Sequence, residues 1–321
     1  MTEVSLTDVA RLAEVSKSTA SRTFTRPELV TRRTRQRVLR AADDLGYRTA
    51  TGSERVGAVG LFVPDIANPF FAPLIKAVHA EASRHQHVVV VVESDEHTNE
   101  ESEAVNSVID TVSGLILASP RMDDQALQDL AMRSRIVLLF RESSAVSNCI
   151  VPGLDGYTQA IAHLHTLGHQ RVVYLAGPHD SYSNEARRQT LNAAALSFGI
   201  DLVELGPFEP RYEAGARAAD LVLSLGVTAA VAYNDLIALG LLSSLQSRGV
   251  RIGQDISVVG IDNSWLGEIS NPPLTSVHVP GPEAATMAVR ILLASPETPP
   301  GQRSIPPTRL VVRSSTGPAK A

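Results

Sequence analysis

Hydrophobic and polar residues recur at helical spacing over the first 25 residues of the chain. The first predicted helix has its apolar face at Leu6, Val9, Ala10 and Leu12. Ser5 and Asp8, three residues apart, have the spacing of a capping box at the start of this helix. A second predicted helix follows a short break and carries Ala20 and Phe24 on its apolar stripe. The pattern predicts two helices joined by a tight turn.

The polar face of the second predicted helix is rich in cations and hydroxyl groups. It consists of Lys17, Ser18, Ser21 and Arg22, and Ser16 can cap the helix. Lysine can reach guanine O6 and N7 in a major groove, and Ser or Thr can contact base edges or phosphates. This pattern predicts a DNA-binding helix; the alternative is an ordinary helical hairpin with a solvated charged face.

A third helix is predicted from Thr31, its N-cap, to Leu45, with Gly46 ending it. Val38, Leu39, Ala42 and Leu45 can close a small three-helix core. Tyr47–Arg55 is rich in Thr, Gly and Ser and has no hydrophobic period, which indicates a linker. We therefore expect a headpiece at 1–48 and a linker at 49–58.

Beyond the linker, short apolar runs alternate with helical stretches. Strands are predicted at Val56–Val63, Val88–Val92, Leu115–Ala118, Ile136–Phe140, Val172–Ala176, Ala229–Ala232 and Val258–Ile261. Helices are predicted near Phe70–Arg84, Glu100–Ile109, Gln125–Met132, Tyr157–Leu167, Glu185–Phe198, Tyr212–Leu223 and Leu236–Arg248. Buried apolar strands alternating with helices predict an α/β fold with doubly wound parallel sheets. The length and a break near Asp155 favour two lobes over 59–315, followed by a loose tail at 316–321.

Charge divides the chain in the same way. Residues 1–50 contain ten Lys and Arg against six Asp and Glu, a net charge of +4, which leaves −9 of the total of −5 for the remainder. A basic head on an acidic body indicates a polyanionic partner at the head. No apolar run approaches the roughly 20 residues that span a membrane, and the acidic N-terminus does not resemble a secretory signal. The single cysteine, Cys149, fits a cytoplasmic protein.

Several polar or aromatic residues follow the predicted strands, where ligand clefts of open α/β folds lie. Phe71, with Phe70 as the alternative, can stack on a ligand ring, although both can also anchor the next helix in the core. Ser183 and Arg187 share a helical face near a positively polarised N-terminus, and the arginine fork suits vicinal hydroxyls or a carboxylate. Further candidates for ligand contact are Asn234 and Asp262, whereas Asp235 is expected to cap its helix.

The chain shows no clear signature of catalysis or of a metal site. His163, His165 and His169 lie near one another in sequence, but no Cys or carboxylate accompanies them, so we expect no metal. The glycine-rich nucleotide-binding motifs, GxSxG and HExxH do not occur. We expect neither a catalytic residue nor a cofactor, and no enzymatic activity.

The headpiece sequence resembles that of the lactose/galactose repressor family. The matching positions are Asp8, Val9, Ala10, Ala13, Val15, Ser16, Thr19, Ser21, Arg22, Thr34, Arg35, Val38, Ala41, Leu45, Gly46 and Tyr47; Thr25 stands where the family usually has Asn. The resemblance implies that Lys17, Ser18 and Arg22 face the bases. It implies phosphate contacts for Ser16, Thr19, Ser21 and Thr31, and the expected DNA-binding set also includes Ser5, Leu6 and Arg35.

The resemblance extends over the body and implies a periplasmic-binding-protein-like clamshell with an effector between its lobes. The implied effector-binding residues are Asp65, Phe70, Phe71, Arg141, Asp155, Ser183, Arg187, Asn234 and Asp262. Chain crossovers between the lobes are expected near Asp155, Asn263–Pro273 and Pro296–Pro307. Relatives usually carry a hinge helix with an intercalating Leu after the headpiece, whereas this linker is several residues shorter and lacks Leu. We therefore expect little or no hinge helix.

Two functions are consistent with these features. The first is a repressor, expected as a homodimer on a pseudopalindromic operator, whose affinity a sugar or related metabolite controls. The second is a cytosolic sugar-binding or sugar-modifying protein with an incidental helical N-terminus. The headpiece discriminates between them, because only the first function requires it.

Overall fold

The computed structural model of the chain describes residues 4–26, 29–45, 47, 57–294 and 305–320. The chain forms two compact units, Met1–Val56 and Gly57–Ala321. Apart from Tyr47 and the strand residues Gly57 and Ala58, the predicted linker and the question of its hinge helix lie outside the described residues.

The first unit contains three helices, α1 (Leu6–Leu12), α2 (Lys17–Thr25) and α3 (Arg32–Leu45). Their starts confirm the predicted caps: the Asp8 carboxylate accepts from the backbone N–H of Ser5 at 3.0 Å, and Ser16 Oγ accepts from the N–H of Thr19 at 3.1 Å. The buried core consists of Val9, Ala10, Ala13, Ala20, Val38, Ala41 and Ala42. Leu12 is 51% exposed, so its predicted place on the apolar face was wrong. Ala13, four residues after Val9, fills that place.

The second unit is built from two α/β lobes, each with a sheet of mainly parallel strands. The strands are β1 (Gly57–Val63), β2 (His87–Glu93), β3 (Leu115–Ala118), β4 (Ile136–Leu139), β5 (Cys149–Ile150), β6 (Arg171–Leu175), β7 (Asp201–Leu205), β8 (Ala229–Ala232), β9 (Ser257–Asp262), β10 (Thr275–His278) and β11 (Arg309–Val311). The helices are α4 (Phe71–Arg84), α5 (Thr98–Asn106), α6 (Asp124–Arg133), α7 (Asp155–Thr166), α8 (Tyr182–Phe198), α9 (Tyr212–Ser224), α10 (Asp235–Ser247), α11 (Trp265–Ile269) and α12 (Gly281–Leu293). The predicted α/β class with doubly wound sheets is confirmed.

Each lobe has one sheet with apolar layers on both faces. Among the described residues, the N-terminal lobe has the strand order β2-β1-β3-β4-β5, and the C-terminal lobe has β11-β10-β9-β8-β6-β7. All pairings are parallel except that of β10 with β11. The central strands β3, β4, β8 and β9 are buried at every residue, because helices cover both sides of a parallel sheet.

The lobes are connected at positions that only partly match the predicted crossovers. The chain passes from β5 to α7 through residues 151–154, next to the predicted crossover at Asp155. It returns between β10 and α12, at His278–Gly281, because β10 belongs to the C-terminal sheet and α12 packs on α4. The predicted crossover at Asn263–Pro273 was therefore wrong; this segment contains α11 and joins two strands of one sheet. Most of the third predicted crossover lies outside the described residues.

The C-terminal tail is not loose over its described residues, contrary to the prediction. Thr316 Oγ1 lies 2.9 Å from His163 Nε2, and the backbone N–H of Ala319 donates to Leu167 O at 2.8 Å. His169 Nε2 lies 3.0 Å from Ser257 Oγ and 3.1 Å from Gly317 O. His163 of α7 and His169, which lies between α7 and β6, therefore hold the tail against the start of β9.

Burial lowers the pKa of His169 below its ordinary value, against the effect of its hydrogen bond to Gly317 O. The folded state consequently binds fewer protons than the unfolded chain, and stability falls as the pH drops below about 6.5. We predict that His169→Gln reduces the decrease in unfolding free energy that occurs when the pH is lowered. For one titrating group this decrease is at most about 1.4 kcal/mol per pH unit. Denaturant unfolding at pH 7.0 and 5.5 measures it. His165→Gln is the control, because His165 is exposed and stacks on Phe198; an equal effect of both variants would contradict the role of His169.

Candidate functional site

The polar face of α2 is the candidate DNA-contacting surface of the first unit. Ser16, Lys17, Ser18 and Arg22 are exposed. Among the described residues, neither Lys17 nor Arg22 forms an ion pair. Thr19 is half-buried, and its Oγ1 lies 2.8 Å from Ser16 Oγ. The helix thus presents two unneutralised cations beside hydroxyl groups that are ordered by the N-cap.

The other predicted DNA-contacting residues are either engaged in helix caps or partly buried. Ser5 and Thr31 are exposed, but both hydroxyls already take part in N-terminal caps, on Asp8 and Thr34 respectively. Ser21, Leu6 and Arg35 are half-buried.

A cavity lies between the carboxyl ends of the two sheets in the second unit. Its empty space is about 740 Å³, part of it open to solvent. The lining residues are Pro64, Asn68, Phe70, Phe71, Glu96, Ser119, Arg121, Phe140, Val151, Pro152, Leu154, Tyr157, Ser181, Tyr182, Ser183, Ala186, Arg187, Pro210, Tyr233, Asn234, Asp262 and Val279. Aromatic and aliphatic walls with few polar groups are typical of small-molecule sites.

Six of the nine predicted effector residues line this cavity. They are Phe70, Phe71, Ser183, Arg187, Asn234 and Asp262. Asp65, Arg141 and Asp155 do not line it. Asp65 Oδ1 accepts from the N–H of Ala67 at 2.7 Å and shapes the loop before α4.

The two remaining residues also serve the backbone around the cavity. Arg141 Nη1 donates to Pro120 O at 3.0 Å and Met122 O at 2.6 Å, and its Nη2 donates to Asp124 Oδ1 at 2.9 Å. Asp155 is the first residue of α7, where a carboxylate suits the helix dipole. A position after a strand was therefore not sufficient to place a side chain in the cleft.

Arg187 is the central cation of the cavity. Its Nη1 donates to Tyr233 O at 2.6 Å, and its guanidinium carbon lies 4.5 Å from the centre of the Tyr233 ring. Its Nη2 lies 3.7 Å from Asp262 Oδ1, too far for a hydrogen bond. Its buried Nε donates to no described protein atom. The guanidinium is held in place while part of its donor capacity remains available to a ligand.

Asp262 faces Arg187 from the end of β9 and is 8% exposed. Burial raises the pKa of Asp262 well above its ordinary value; Arg187 opposes this rise and Asp235 reinforces it. Its φ of 115° is unusual for a residue with a side chain. Backbone strain of this kind clusters at ligand sites, which supports Asp262 as a contact residue.

The predicted helix cap at Asp235 was wrong, whereas Asn234 both caps α10 and lines the cavity. Asn234 caps α10, since its Oδ1 accepts from the N–H of Ile237 at 2.9 Å and its Nδ2 donates to Pro210 O at 3.0 Å. Asp235 is instead buried, accepting from Ser276 Oγ and from the N–H of Ser264, each at 2.6 Å. Burial raises the pKa of Asp235 to about 6 despite these bonds.

The aromatic wall also differs from the prediction. Phe71 is buried in the core as the first residue of α4, whereas Phe70 is half-buried and presents the more accessible ring. Phe70 packs edge-on against Phe71 at 5.2 Å and against Phe140 at 5.5 Å. The preference for Phe71 as the stacking residue is therefore replaced by Phe70.

Several lining residues were missed by the sequence analysis. Glu96 and Arg121 form a buried ion pair in the N-terminal lobe, and burial raises the pKa of Glu96 although Arg121 opposes the rise. Tyr157 and Tyr233 pack around Arg187, and burial raises the pKa of Tyr157. These residues belong to no recognisable motif; only their place after predicted strands or at helix starts could have indicated them.

Two further searches of the structure concern metal sites and membrane-spanning helices. Within the described residues, no three His, Cys, Asp or Glu side chains converge as a metal site would require. In the same part of the chain, no helix is long and apolar enough to cross a bilayer. His163 and His169 contact the tail, as described above.

Comparison with known proteins identifies both units. Residues 5–50 match the model of bacterial regulatory proteins of the lacI family, and residues 161–316 match that of the periplasmic binding protein-like domain. The HTH-type transcriptional regulator GalS of Salmonella typhimurium is 31% identical over 310 residues, covering 90% of this chain and 89% of GalS.

Solved structures give the same result. The lac repressor dimer bound to operator and the anti-inducer ONPF has a TM-score of 0.71 and 26% identity, covering 98% of this chain and all of that chain. A LacI family regulator from Enterococcus faecium with bound ribose has a TM-score of 0.73 and 26% identity, covering 82% and 100%. These findings favour a regulator over a sugar-binding protein without operator function. The chain belongs to the lacI family of bacterial regulatory proteins and is a DNA-binding transcriptional regulator.

Proposed function

We propose that the protein represses transcription as a homodimer on a pseudopalindromic operator, and that a sugar or related metabolite between its lobes controls the affinity. The observation that carries this proposal is the cavity, in which Arg187 and Asp262 of the C-terminal lobe lie opposite Glu96 and Arg121 of the N-terminal lobe. A ligand that binds one lobe arrangement better than the other shifts the population between them. We assign a binding role to the cavity and not a catalytic one. We expect the protein to act in the cytoplasm.

The proposed DNA interface is the exposed face of α2, with Lys17, Ser18 and Arg22 toward the bases and Ser16 and Thr19 toward phosphates. Its support is physical: two exposed cations stand on a helix whose opposite face is buried in the core of the headpiece. Thr31, Ser21, Ser5, Leu6 and Arg35 are assigned to the flanks of the same interface.

We predict that Lys17→Ala or Arg22→Ala weakens binding to the preferred duplex roughly 5- to 100-fold, because each removes a base or phosphate contact. The duplex is first selected from random DNA with the full-length chain. Titrations at several salt concentrations then separate the two kinds of contact, since losing a phosphate contact lowers the salt slope by about 0.9.

Arg11→Ala is the control for these variants, because Arg11 is an exposed cation of α1 already paired with Asp8 at 3.3 Å. It should retain nearly full affinity. Failure of the full-length chain to prefer any duplex over random DNA would contradict the proposed operator function.

The homodimer is supported by two exposed apolar surfaces. Val88 and Val91 are exposed on opposite faces of β2, which is an edge strand among the described residues. Trp265 and Ile269 are 56% and 70% exposed on α11. Exposed apolar residues on an edge strand or a surface helix commonly mark protein contacts.

We predict that Trp265→Ser combined with Ile269→Ser, or Val88→Lys combined with Val91→Lys, shifts the chain from dimer toward monomer. Sedimentation velocity over a concentration series measures the change. Leu196→Ser is the matched control, because Leu196 is an isolated apolar side chain of 85% exposure. A wild-type chain that sediments as a monomer at micromolar concentration would contradict the homodimer.

The effector class is argued from the lining of the cavity. Each buried cation faces a carboxylate, Arg187 with Asp262 and Arg121 with Glu96. Such paired charges suit a neutral ligand that both donates and accepts hydrogen bonds, and the Phe70 ring can cover an apolar sugar face. Thermal-shift measurements against pentoses, hexoses, polyols and nucleosides would narrow the class.

We predict that Arg187→Ala abolishes the thermal shift and the effector response while leaving operator affinity without ligand within about twofold. The reason is that Arg187 lines the cavity, whereas the headpiece is a separate compact unit. Arg188→Ala is the matched control on the same helix, since Arg188 is bonded to Glu185 at 2.8 Å. Equal loss of operator binding and effector response in Arg187→Ala would show a purely structural role.

A further inference from the structure

Besides the hydrogen bond from Ser183 Oγ to Phe140 O within the cavity, four residues outside it connect the two lobes through side-chain contacts. Asp95 and Thr98 belong to the N-terminal lobe, in and just after the loop between β2 and α5. Asp180 and Arg211 belong to the C-terminal lobe, immediately before α8 and α9. We call these four residues the clasp. None of them lines the cavity itself, and none belongs to the motifs that point to effector binding.

The clasp makes two direct contacts across the cleft. Arg211 Nη2 donates to Asp95 Oδ1 at 2.6 Å and to Asp95 O at 3.0 Å. Thr98 Oγ1 donates to Asp180 Oδ2 at 2.6 Å. The guanidinium beside Asp95 holds the pKa of that carboxyl below its usual range. The pair is thus charged near neutral pH, and both contacts must break if the lobes separate.

Arg121 links the clasp to the cavity. Its side chain lines the cavity, forms a buried ion pair with Glu96, and has its Nε 4.0 Å from Asp180 Oδ1. Glu96 directly follows the clasp residue Asp95 in sequence. A ligand in the cavity can therefore contact Arg121, whose guanidinium also lies beside Asp180, the clasp residue of the opposite lobe.

The loop that presents these carboxylates has a strained backbone. Asp95 and Glu96 have φ values of 47° and 66°, in the left-handed region that residues with side chains seldom adopt. The conformation is held by hydrogen bonds from the N–H of Glu96 to Pro64 O at 2.9 Å and from the N–H of His97 to Ser94 O at 2.8 Å. Strain concentrates where a particular side-chain direction is needed. Here it directs Asp95 to the other lobe and Glu96 to the cavity.

We propose that the clasp is an electrostatic device that favours the closed arrangement of the lobes without any ligand, and that Arg121 couples it to the occupant of the cavity. Its contacts are exposed, so each changes the ratio of closed to open lobes by at most about fivefold. A bias of this size sets the balance between the arrangements and still lets a small molecule shift it. The consequence for operator affinity rests on the proposed function, whereas the closure itself does not.

The test measures lobe separation without ligand or DNA. Spin labels are placed on cysteines at Met132 in α6 and Leu196 in α8, which are exposed and lie on opposite lobes, in a Cys149→Ser background. Labelled chains are diluted into an excess of unlabelled chains, so that pulsed dipolar spectroscopy reports distances within one subunit. Arg211→Gln with Asp180→Asn removes one charge from each of the two clasp contacts, and Arg211→Lys keeps the positive charge.

Arg248→Gln with Asp220→Asn is the matched control, because that ion pair has nearly the same length and exposure but lies within the C-terminal lobe. The Arg248–Asp220 pair is 2.8 Å long with side chains 36% and 74% exposed; the Arg211–Asp95 pair is 2.6 Å long with 33% and 61%. Thermal unfolding of each variant establishes that it is folded.

We expect the clasp variant to raise the population of the longer distance at least threefold relative to the short one. Adding 0.5 M salt to the wild-type chain should act in the same direction. Arg211→Lys and the control pair should resemble the wild type. Unchanged distances in the folded clasp variant, or an equal change in the control, would overturn the proposal. A changed distance in the clasp variant with unchanged operator affinity would leave the clasp in place and count instead against the proposed control of operator affinity by the lobes.

Discussion

The cleft depends on keeping a buried guanidinium, that of Arg187, in one position. A buried charge needs partners, and this one has the Tyr233 carbonyl, the Tyr233 ring and the Asp262 carboxylate. Those partners come from the ends of β8 and β9, and Arg187 itself comes from α8, the helix after β6. The adjacent strands β6, β8 and β9 must therefore end at a common level, which the parallel register of the C-terminal sheet provides.

The two sheets explain why the polar groups gather in one place. Parallel strands buried on both faces leave only their ends for hydrophilic loops. Because both lobes turn the same end toward the cleft, Glu96 and Arg121 of one lobe come to lie opposite Arg187 and Asp262 of the other. The gathering of polar side chains at the cleft therefore requires no additional segment of chain, because the order of strands and helices produces it.

The sequence was sufficient to predict the central strands of each sheet but not the strands near the sheet edges. Leu115–Ala118 and Ala229–Ala232 were predicted with the observed bounds, because a strand covered on both sides must be continuously apolar. β7, with the sequence DLVEL, and β10, with TSVH, carry polar residues and were missed. Missing β10 and the following α12 also displaced the second crossover, since topology cannot be assigned when a strand of the sheet is absent from the count.

For the site, local motifs predicted Arg187, Asp262 and Ser183, whose positions depend on the end of a single strand or the start of a single helix. They could not predict the roles of Asn234 and Asp235, because which of two adjacent side chains caps α10 depends on Ser264 and Ser276, some 30 to 40 residues away. Arg121 was missed for a similar reason: its partners come from different lobes.

The anchored tail links distant parts of the C-terminal lobe. Gly317 bonds to Ser257, the first residue of β9, and the last residue of that strand is Asp262. Ala319 meanwhile bonds to the end of α7, the helix that begins directly after the first crossover. The tail therefore acts as a brace between the end of α7 and the strand that ends at the cavity residue Asp262. A fusion or truncation that detached it would loosen both at once, so a change at the Ser257 end of β9 would alter how a small molecule is held at the Asp262 end.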